Sequence, residues 1–316
     1  MNETRPGSSG LKGRDFLSMA DLNGRELAQI LETATELKAQ VKQGQYQPRL
    51  AGQSLALLFE KPSLRTRLSF DIGMFQLGGR AFYLAPQEVG LNKREVARDV
   101  ARVIGSMAQA IVARVNRHSD LEEMAQFSSV PIINGLSDLE HPCQVLADLL
   151  TIKERFGFIE GLKLAYIGDG NNMTHSLILG AALTGLNIAV ISPSGYTPLP
   201  EIIEQAIKIA AGRSQIALFS DPIAGVRGAD IIYTDVWASM GQEAEADERK
   251  TVFAPYQLNE GLLEYMRPDA LVLHCLPAHR GEEITEEVLE SSQSWVFSQA
   301  ENRLHAQKAL LVHLLA

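Results

Sequence analysis

The sequence predicts an α/β protein with two doubly wound parallel-sheet domains joined by interdomain helices. Short apolar runs of strand length alternate with longer segments whose apolar residues have helical spacing. This alternation is typical of a parallel sheet covered by helices. It occurs twice, and 316 residues are enough for two hydrophobic cores. We expect domains at residues 1–150 and 151–300, with a C-terminal helix at 301–316 that packs back on the first domain.

The first half follows a β-α-β-α-β-α-β order after an opening helix at 22–41. We predict strands at 53–59, 80–84, 110–114 and 130–133. The segments between them have helical periodicity, except for 86–93, which contains Gly90 and is expected to be a mobile surface loop.

The second half begins with a predicted helix at 142–156, which has Pro142 at its first position and is expected to bridge the domains. Further strands are predicted at 162–167, 188–191, 216–219, 231–234, 270–273 and 295–297. The apolar stretch at 306–315 predicts the final helix.

Composition and charge exclude several classes of protein. The net charge of −9 argues against nucleic acid or an anionic membrane as the main partner. Two distant cysteines make neither a disulfide framework nor a zinc cluster, so we expect no metal. The first residues lack the apolar core of a signal peptide, and no run is long enough to span a membrane. We therefore expect a cytoplasmic protein.

The most informative stretch runs from Lys61 to Arg67, between a predicted strand and a predicted helix. Backbone N–H groups and the positive end of the helix dipole meet at such a junction and favour an anion. Ser63 and Thr66 add hydroxyl donors, while Arg65 and Arg67 add planar guanidinium groups that suit phosphate oxygens. The stretch predicts a phosphate site without a Walker sequence; a solvated basic turn is the plainer alternative.

Other polar clusters also follow predicted strands, where ligands bind in doubly wound sheets. Arg114 follows the third strand, and His141 and Gln144 lie three residues apart at a helix start. A salt bridge and a helix cap are the alternatives for these residues. The sequence Gly168-Asp169-Gly170 begins like a dinucleotide fingerprint, but Met173 stands in place of its third glycine. Asp235 and Cys275 each follow a later strand; a helix cap and an inert buried thiol are their plainer interpretations.

Four motifs in this order carry a family resemblance. They are Ser63-Leu64-Arg65-Thr66-Arg67, His141-Pro142-Cys143-Gln144, the segment from Asp235 to Gly241, and His274-Cys275-Leu276-Pro277. The chain resembles the aspartate/ornithine carbamoyltransferase family over nearly its full length. The last two motifs are similar to the ornithine branch, because the aspartate branch has His-Pro-Leu-Pro and lacks the Ser-Met-Gly loop.

The resemblance implies a role for each matching position. The carbamoyl phosphate set is Ser63, Leu64, Arg65, Thr66, Arg114, His141, Gln144, Cys275, Leu276 and Arg303. Within it, the residues implied in catalysis are Arg114, His141, Cys275 and Arg303. The ornithine set is Asn172, Asp235, Ser239 and Met240.

The implied reaction transfers a carbamoyl group from carbamoyl phosphate to the δ-amine of L-ornithine, as in arginine biosynthesis, and gives L-citrulline and phosphate. It needs no metal or organic cofactor. The family also implies a homotrimer or a multiple of trimers. Many relatives have a Gln near the position of Gly90 that reaches a neighbouring subunit's ligand, a contact that Gly90 cannot make.

Two alternatives remain open on the sequence. A related carbamoyltransferase could use putrescine, N-acetylornithine or aspartate, although Asp235 and the Ser239-Met240-Gly241 loop argue against aspartate. A two-domain binding module for phosphorylated metabolites is the alternative from another class. His141, Gln144, Cys275 and Arg303 argue against it, since phosphate binding alone requires none of them.

Overall fold

The computed structural model describes residues 10–238 and 243–316. The chain divides into two compact units. Unit 1 comprises Met1–Leu150 and Asn302–Ala316, and unit 2 comprises Thr151–Glu301. Each unit has a parallel sheet with helices, so the predicted fold class is confirmed.

The sheet of unit 1 has the strand order β2-β1-β3-β4, with every neighbouring pair parallel. Its strands are β1 (Ser54–Phe59), β2 (Arg80–Leu84), β3 (Ala110–Arg114) and β4 (Ile132–Leu136). The helices that begin in this unit are α1 (Gly24–Lys42), α2 (Leu64–Gln76), α3 (Pro86–Val89), α4 (Ala97–Gly105), α5 (His118–Phe127) and α6 (Pro142–Phe156). The chain order reverses between β1 and β3, so the carboxyl ends of these two strands flank the topological switch point.

Burial explains why the strands of unit 1 were recognisable. β1 and β3 lie inside the sheet and are apolar and buried along nearly their whole length. β2 lies at the edge and alternates between exposed and partly buried residues. Central parallel strands are covered on both faces, so their sequences read as continuous apolar runs.

The sheet of unit 2 has the order β7-β6-β5-β8-β9 and is also parallel. Its strands are β5 (Lys163–Ile167), β6 (Asn187–Ile191), β7 (Ile216–Phe219), β8 (Ile231–Thr234) and β9 (Leu271–His274). The helices are α7 (Asn172–Thr184), α8 (Pro200–Ala210), α9 (Pro222–Val226), α10 (Ala246–Phe253), α11 (Glu260–Leu263), α12 (Glu286–Leu289) and α13 (Val296–Leu315). The switch point of this sheet lies between β5 and β8.

Outside the Lys61–Arg67 stretch, the structure differs from the prediction in two segments. The strand predicted at 295–297 is absent, because Val296 begins the 20-residue helix α13. A three-residue apolar run is too short to separate a strand from the start of a helix. The surface loop predicted at 86–93 contains the short helix α3, with Pro86 in its first turn.

Both α6 and α13 contain residues of both units. Among the described residues, no helix combines the length and the hydropathy needed to cross a membrane.

Candidate active site

Residues of unit 1 that are predicted to bind phosphate lie at its switch point. Phe59, at the end of β1, pairs with Arg114, at the end of β3, and the N–H of Glu60 donates to the Arg114 carbonyl (2.8 Å). The chain then turns into α2 through Pro62 and Ser63. Arg114 and the amino end of α2 therefore both follow the carboxyl ends of adjacent strands.

The stretch expected to be a loop proves to be the first turn of a helix. Ser63 caps α2, and its Oγ accepts from the Thr66 N–H (3.3 Å). Leu64, Arg65 and Thr66 follow in the first turn, where backbone N–H groups lack intrahelical partners and suit an anion. Arg67 differs from the expectation, because its exposed guanidinium stacks over the Tyr83 ring at 4.0 Å.

Arg303 is a buried guanidinium held by residues far away in sequence. Its Nη1 donates to Gln144 Oε1 (2.6 Å), and its Nη2 donates to Thr66 Oγ1 (3.0 Å). Gln144 is in turn oriented by Asp148, whose Oδ1 accepts from the Gln144 Nε2 (2.8 Å). Thr66, Gln144 and Arg303, predicted separately, thus form one hydrogen-bonded group.

A second contact fixes the other side of the guanidinium. In the amide orientation that satisfies both of its ends, Gln307 accepts from Arg303 Nε (2.9 Å) and Nη2 (2.8 Å). The same amide donates to Ser69 Oγ, and that hydroxyl donates to the Arg65 carbonyl (2.6 Å). Gln307 therefore couples the orientation of Arg303 to the first turns of α2.

His141 is neutral in this environment. Burial lowers its pKa well below the ordinary value of 6.5, and the charges of Arg303, Arg114 and Arg65 lower it further. Burial, together with these three cations, thus keeps the imidazole uncharged. A neutral imidazole donates a hydrogen bond to a ligand oxygen without giving up its proton.

Cys143 is a core residue and does not act as a nucleophile. Its side chain is buried, and burial raises the pKa of its thiol to about 12. Because the thiolate is the nucleophilic form, this cysteine is inert at neutral pH.

In unit 2, Asp235 follows β8 at the switch point and is almost fully buried. Its Oδ2 accepts from Asn171 Nδ2 (3.1 Å), and its Oδ1 accepts from the Cys275 thiol (3.0 Å). The structure therefore brings Asp235 and Cys275 together, and Asn172 is the first residue of the adjoining helix α7. Leu276 follows Cys275 with φ of 57°, before a cis peptide bond to Pro277. The predicted ligands Ser239 and Met240 lie outside the described residues.

Asn171 is a site residue that the sequence analysis missed. It caps α7 by accepting from the N–H groups of Met173 (2.9 Å) and Thr174 (3.2 Å), while its amide donates to Asp235. An Asn before a helix is a recognisable cap signal. Its second contact depends on tertiary structure and has no local signal.

Arg249 is a second residue that no sequence pattern indicates. Its Nη1 donates both to Asp169 Oδ2 (2.8 Å) and to the Trp237 carbonyl (2.9 Å). It thereby ties the segment after β5 to the segment after β8, and each of these carries a predicted ornithine ligand. Burial raises the pKa of Asp169, although the Arg249 charge opposes that shift.

The dinucleotide alternative is further weakened by the packing of Gly170. A Cβ at this position would lie 2.2 Å from the Pro198 nitrogen and 2.3 Å from the Thr197 carbonyl carbon. The glycine thus permits close approach of the chain's own backbone, whereas a dinucleotide fingerprint uses such a glycine for a pyrophosphate.

Comparison with known proteins agrees with this division of residues. The family model described as the aspartate/ornithine carbamoyltransferase carbamoyl-P binding domain matches residues 14–154. The model for the Asp/Orn binding domain of the same family matches residues 160–314. The chain belongs to the aspartate/ornithine carbamoyltransferase family.

Individual relatives in this family match nearly the whole chain. An ornithine carbamoyltransferase from Anoxybacillus flavithermus is 52% identical over 306 residues, which cover 96% of this chain and 98% of that one. The solved structure of ornithine carbamoyltransferase from Pyrococcus furiosus has a TM-score of 0.94 at 48% identity, covering 98% of this chain and 99% of that one. The anabolic ornithine carbamoyltransferase of Campylobacter jejuni has a TM-score of 0.88 at 38% identity, with coverage of 94% and 97%.

The backbone at Gly90 restricts which side chains this position can carry. It ends α3 in the left-handed conformation, with φ of 60° and ψ of 42°. A Cβ there would lie 2.9 Å from Arg94 Cβ. A Gln at this position would therefore be strained in this backbone.

Proposed function

We propose that this enzyme carbamoylates the δ-amine of L-ornithine with carbamoyl phosphate and releases L-citrulline and phosphate. The observation that carries this proposal is the hydrogen-bonded group of Arg303, Gln144 and Thr66, beside neutral His141. A site that only binds phosphate needs positively charged groups beside the phosphate oxygens and no further donors. Buried, oriented donors are suited to a second, neutral oxygen, such as the carbonyl oxygen of a carbamoyl group.

In the proposed reaction, Ser63, Leu64, Arg65, Thr66 and Arg114 bind the phosphate, and the donors near Arg303 bind the carbamoyl carbonyl. The neutral δ-amine attacks the carbamoyl carbon, and the carbonyl oxygen gains negative charge in the tetrahedral intermediate. The bond to the phosphate oxygen then breaks, phosphate leaves with the electron pair, and the amine loses a proton. Each fixed donor to such an oxyanion is commonly worth about 2.7–4 kcal/mol.

The charges of unit 2 favour ornithine over aspartate. Asp235 provides a fixed carboxylate for the α-ammonium, and Asn172 provides an amide for the α-carboxylate. An aspartate substrate would bring a second carboxylate that needs a cation. Arg280, a basic residue that follows the Cys275 segment, already pairs with Glu286 (2.6 Å) and Glu290 (2.7 Å).

The test is a panel of amines offered with carbamoyl phosphate, with the products identified by mass. We expect kcat/KM to be highest for ornithine, lower for N-acetylornithine and putrescine, and lowest for aspartate. Asp235→Asn should raise KM for ornithine and lower kcat, because it removes the ammonium partner and alters the contact with Cys275. Asp269→Asn, an exposed change in the same unit, is the matched control.

Two outcomes would contradict the proposal. If putrescine or aspartate is preferred by the wild type, the substrate assignment is wrong. If Asp235→Asn keeps full activity with ornithine, Asp235 does not bind the amino acid.

We further infer a homotrimer, or a multiple of trimers, acting in the cytoplasm in arginine biosynthesis. The support is the family resemblance, together with an exposed apolar stripe on α2. Leu68, Ile72 and Phe75 lie at helical spacing and are 47%, 41% and 79% exposed in the single chain. Sedimentation velocity tests this state, and a monomer at micromolar concentration would contradict it.

A further inference from the structure

The loop between His274 and Glu283 is closed at its base by a buried carboxylate. The side chains of both residues are fully buried. Glu283 Oε1 lies 3.1 Å from His274 Nε2 and accepts from the His279 N–H at 2.6 Å. One carboxylate oxygen therefore connects the beginning, the middle and the end of the loop that carries Cys275 and Leu276.

The other ring nitrogen of His274 determines where the imidazole proton lies. His274 Nδ1 accepts from the backbone N–H of Leu276 at 2.9 Å. A nitrogen that accepts a hydrogen bond must present its lone pair, so the ring proton is on Nε2. The Nε2–H then donates to Glu283, which stabilises this tautomer over the one with the proton on Nδ1.

A separate contact secures the strand end. The His274 N–H donates to Gln299 Oε1 (3.0 Å), and Gln299 Nε2 donates to the Tyr233 hydroxyl (3.1 Å). The backbone at His274 is therefore anchored independently of Glu283. What Glu283 controls is the imidazole ring, and through it the peptide between Cys275 and Leu276.

We propose that Glu283 is a positioning residue for carbamoyl transfer. It holds His274 in the Nε2–H tautomer, and His274 holds the Leu276 N–H, so that the Cys275–Leu276 segment keeps one orientation. The family resemblance implies that Cys275 and Leu276 contact the carbamoyl group, so the orientation of this segment bears on carbamoyl transfer. The inference rests on the proposed function.

Single substitutions at Glu283 separate its hydrogen bonds from its charge. Glu283→Ala removes the acceptor for the His274 Nε2–H. The imidazole proton can then move to Nδ1, where it would face the Leu276 N–H, and the hydrogen bond between them would be lost. We expect kcat/KM for carbamoyl phosphate to fall about 100-fold, the scale of a misplaced active-site group. Glu283→Gln keeps a carbonyl oxygen for His274 and His279 and should stay close to wild type.

A second-site change tests the relay directly. His274→Asn places a side-chain oxygen where it can accept the N–H two residues on, as in an Asx turn, without help from Glu283. The double variant His274→Asn/Glu283→Ala should therefore regain much of the activity lost in Glu283→Ala. Glu283→Ala and the double variant both lack the acceptor for the His279 N–H, so loss of this contact cannot explain a difference in activity between them. A double variant no more active than Glu283→Ala would overturn the proposal.

The tautomer can be measured without any turnover. Nitrogen-15 spectra of the imidazole rings, with the His274 signals assigned by their loss in His274→Asn, should show Nε2 protonated and Nδ1 unprotonated. A wild-type ring with its proton on Nδ1 overturns the role of Glu283, whatever the activity. Failure of the wild type to form citrulline overturns the proposed function instead, so the two failures are distinguishable.

Discussion

At the scale of single residues, Arg303 is a buried guanidinium that neighbouring side chains hold in one orientation. Its side chain is almost completely buried, and the neutral side chains of Gln144, Thr66 and Gln307 accept hydrogen bonds from it. These acceptors fix the direction of the guanidinium. In a low-dielectric interior, such a charge acts strongly on a ligand that develops negative charge.

Arg303→Lys tests this interpretation. Lysine keeps the charge but has no planar fork, so it cannot satisfy Gln144, Thr66 and Gln307 together. We expect kcat to fall by a factor of roughly 10²–10³, the cost of losing one oriented donor to an oxyanion. Steady-state kinetics with both substrates measure kcat, and circular dichroism confirms that the variant is folded. Arg98→Lys, at an exposed position on α4, is the control, and near-wild-type kcat in Arg303→Lys would refute the role.

At the scale of elements, the sequence located most strand ends. The strands β1, β3, β5, β8 and β9 were recognisable because they are largely apolar runs, and several residues that are predicted to bind ligands follow them directly. The sequence predicts a loop at the first turn of α2, because the polar residues of this turn hide the helical periodicity that starts only at Leu68. The residues that orient others, such as Asp148, Gln307 and Arg249, were not predicted. Asp148 and Gln307 lie one helical turn from Gln144 and Arg303, but polar pairs at this spacing are common on any helix and indicate no site. Arg249 contacts Asp169 and the Trp237 carbonyl, which are distant in sequence.

Gly170→Ala tests how tightly the segment after β5 is packed. The new Cβ would overlap backbone atoms of Thr197 and Pro198, which cannot rotate away as a side chain would. We expect a loss of about 1–3 kcal/mol in the free energy of unfolding, the usual range for overpacking, and a higher KM for ornithine. Gly261→Ala is the matched control, because its Cβ would meet only Asn259 Oδ1 at 3.5 Å. Equal stabilities of the two variants in urea would contradict the prediction.

At the scale of the whole molecule, the buried histidines make stability depend on pH. Burial lowers the pKa values of His118, His141 and His313 below 6.5. Unfolded chains therefore take up protons at a higher pH than the folded protein does. The free energy of unfolding should accordingly decrease as pH falls below about 6.5, the ordinary histidine pKa.

His141→Gln isolates the largest of these contributions. The variant loses a group that the folded protein keeps neutral, so its stability should fall less steeply between pH 7 and 5. The difference from wild type is at most about 1.4 kcal/mol per pH unit for one group. Urea unfolding of the ligand-free proteins in phosphate-free buffer measures it. Parallel pH profiles would show that His141 is protonated as readily in the folded protein as in the unfolded one.

The division of the chain also has a consequence for biosynthesis. Unit 2 is one continuous stretch, whereas unit 1 is completed by its last fifteen residues, Asn302–Ala316. This segment adds buried residues to the first unit, among them Ala306, Leu310 and Leu314. On the ribosome, the unit that emerges first therefore lacks part of its core until Asn302–Ala316 has emerged, while the unit that emerges second already has all of its residues. A chain that stops before this segment would lack part of the core of its amino-terminal unit and keep the full sequence of the second unit.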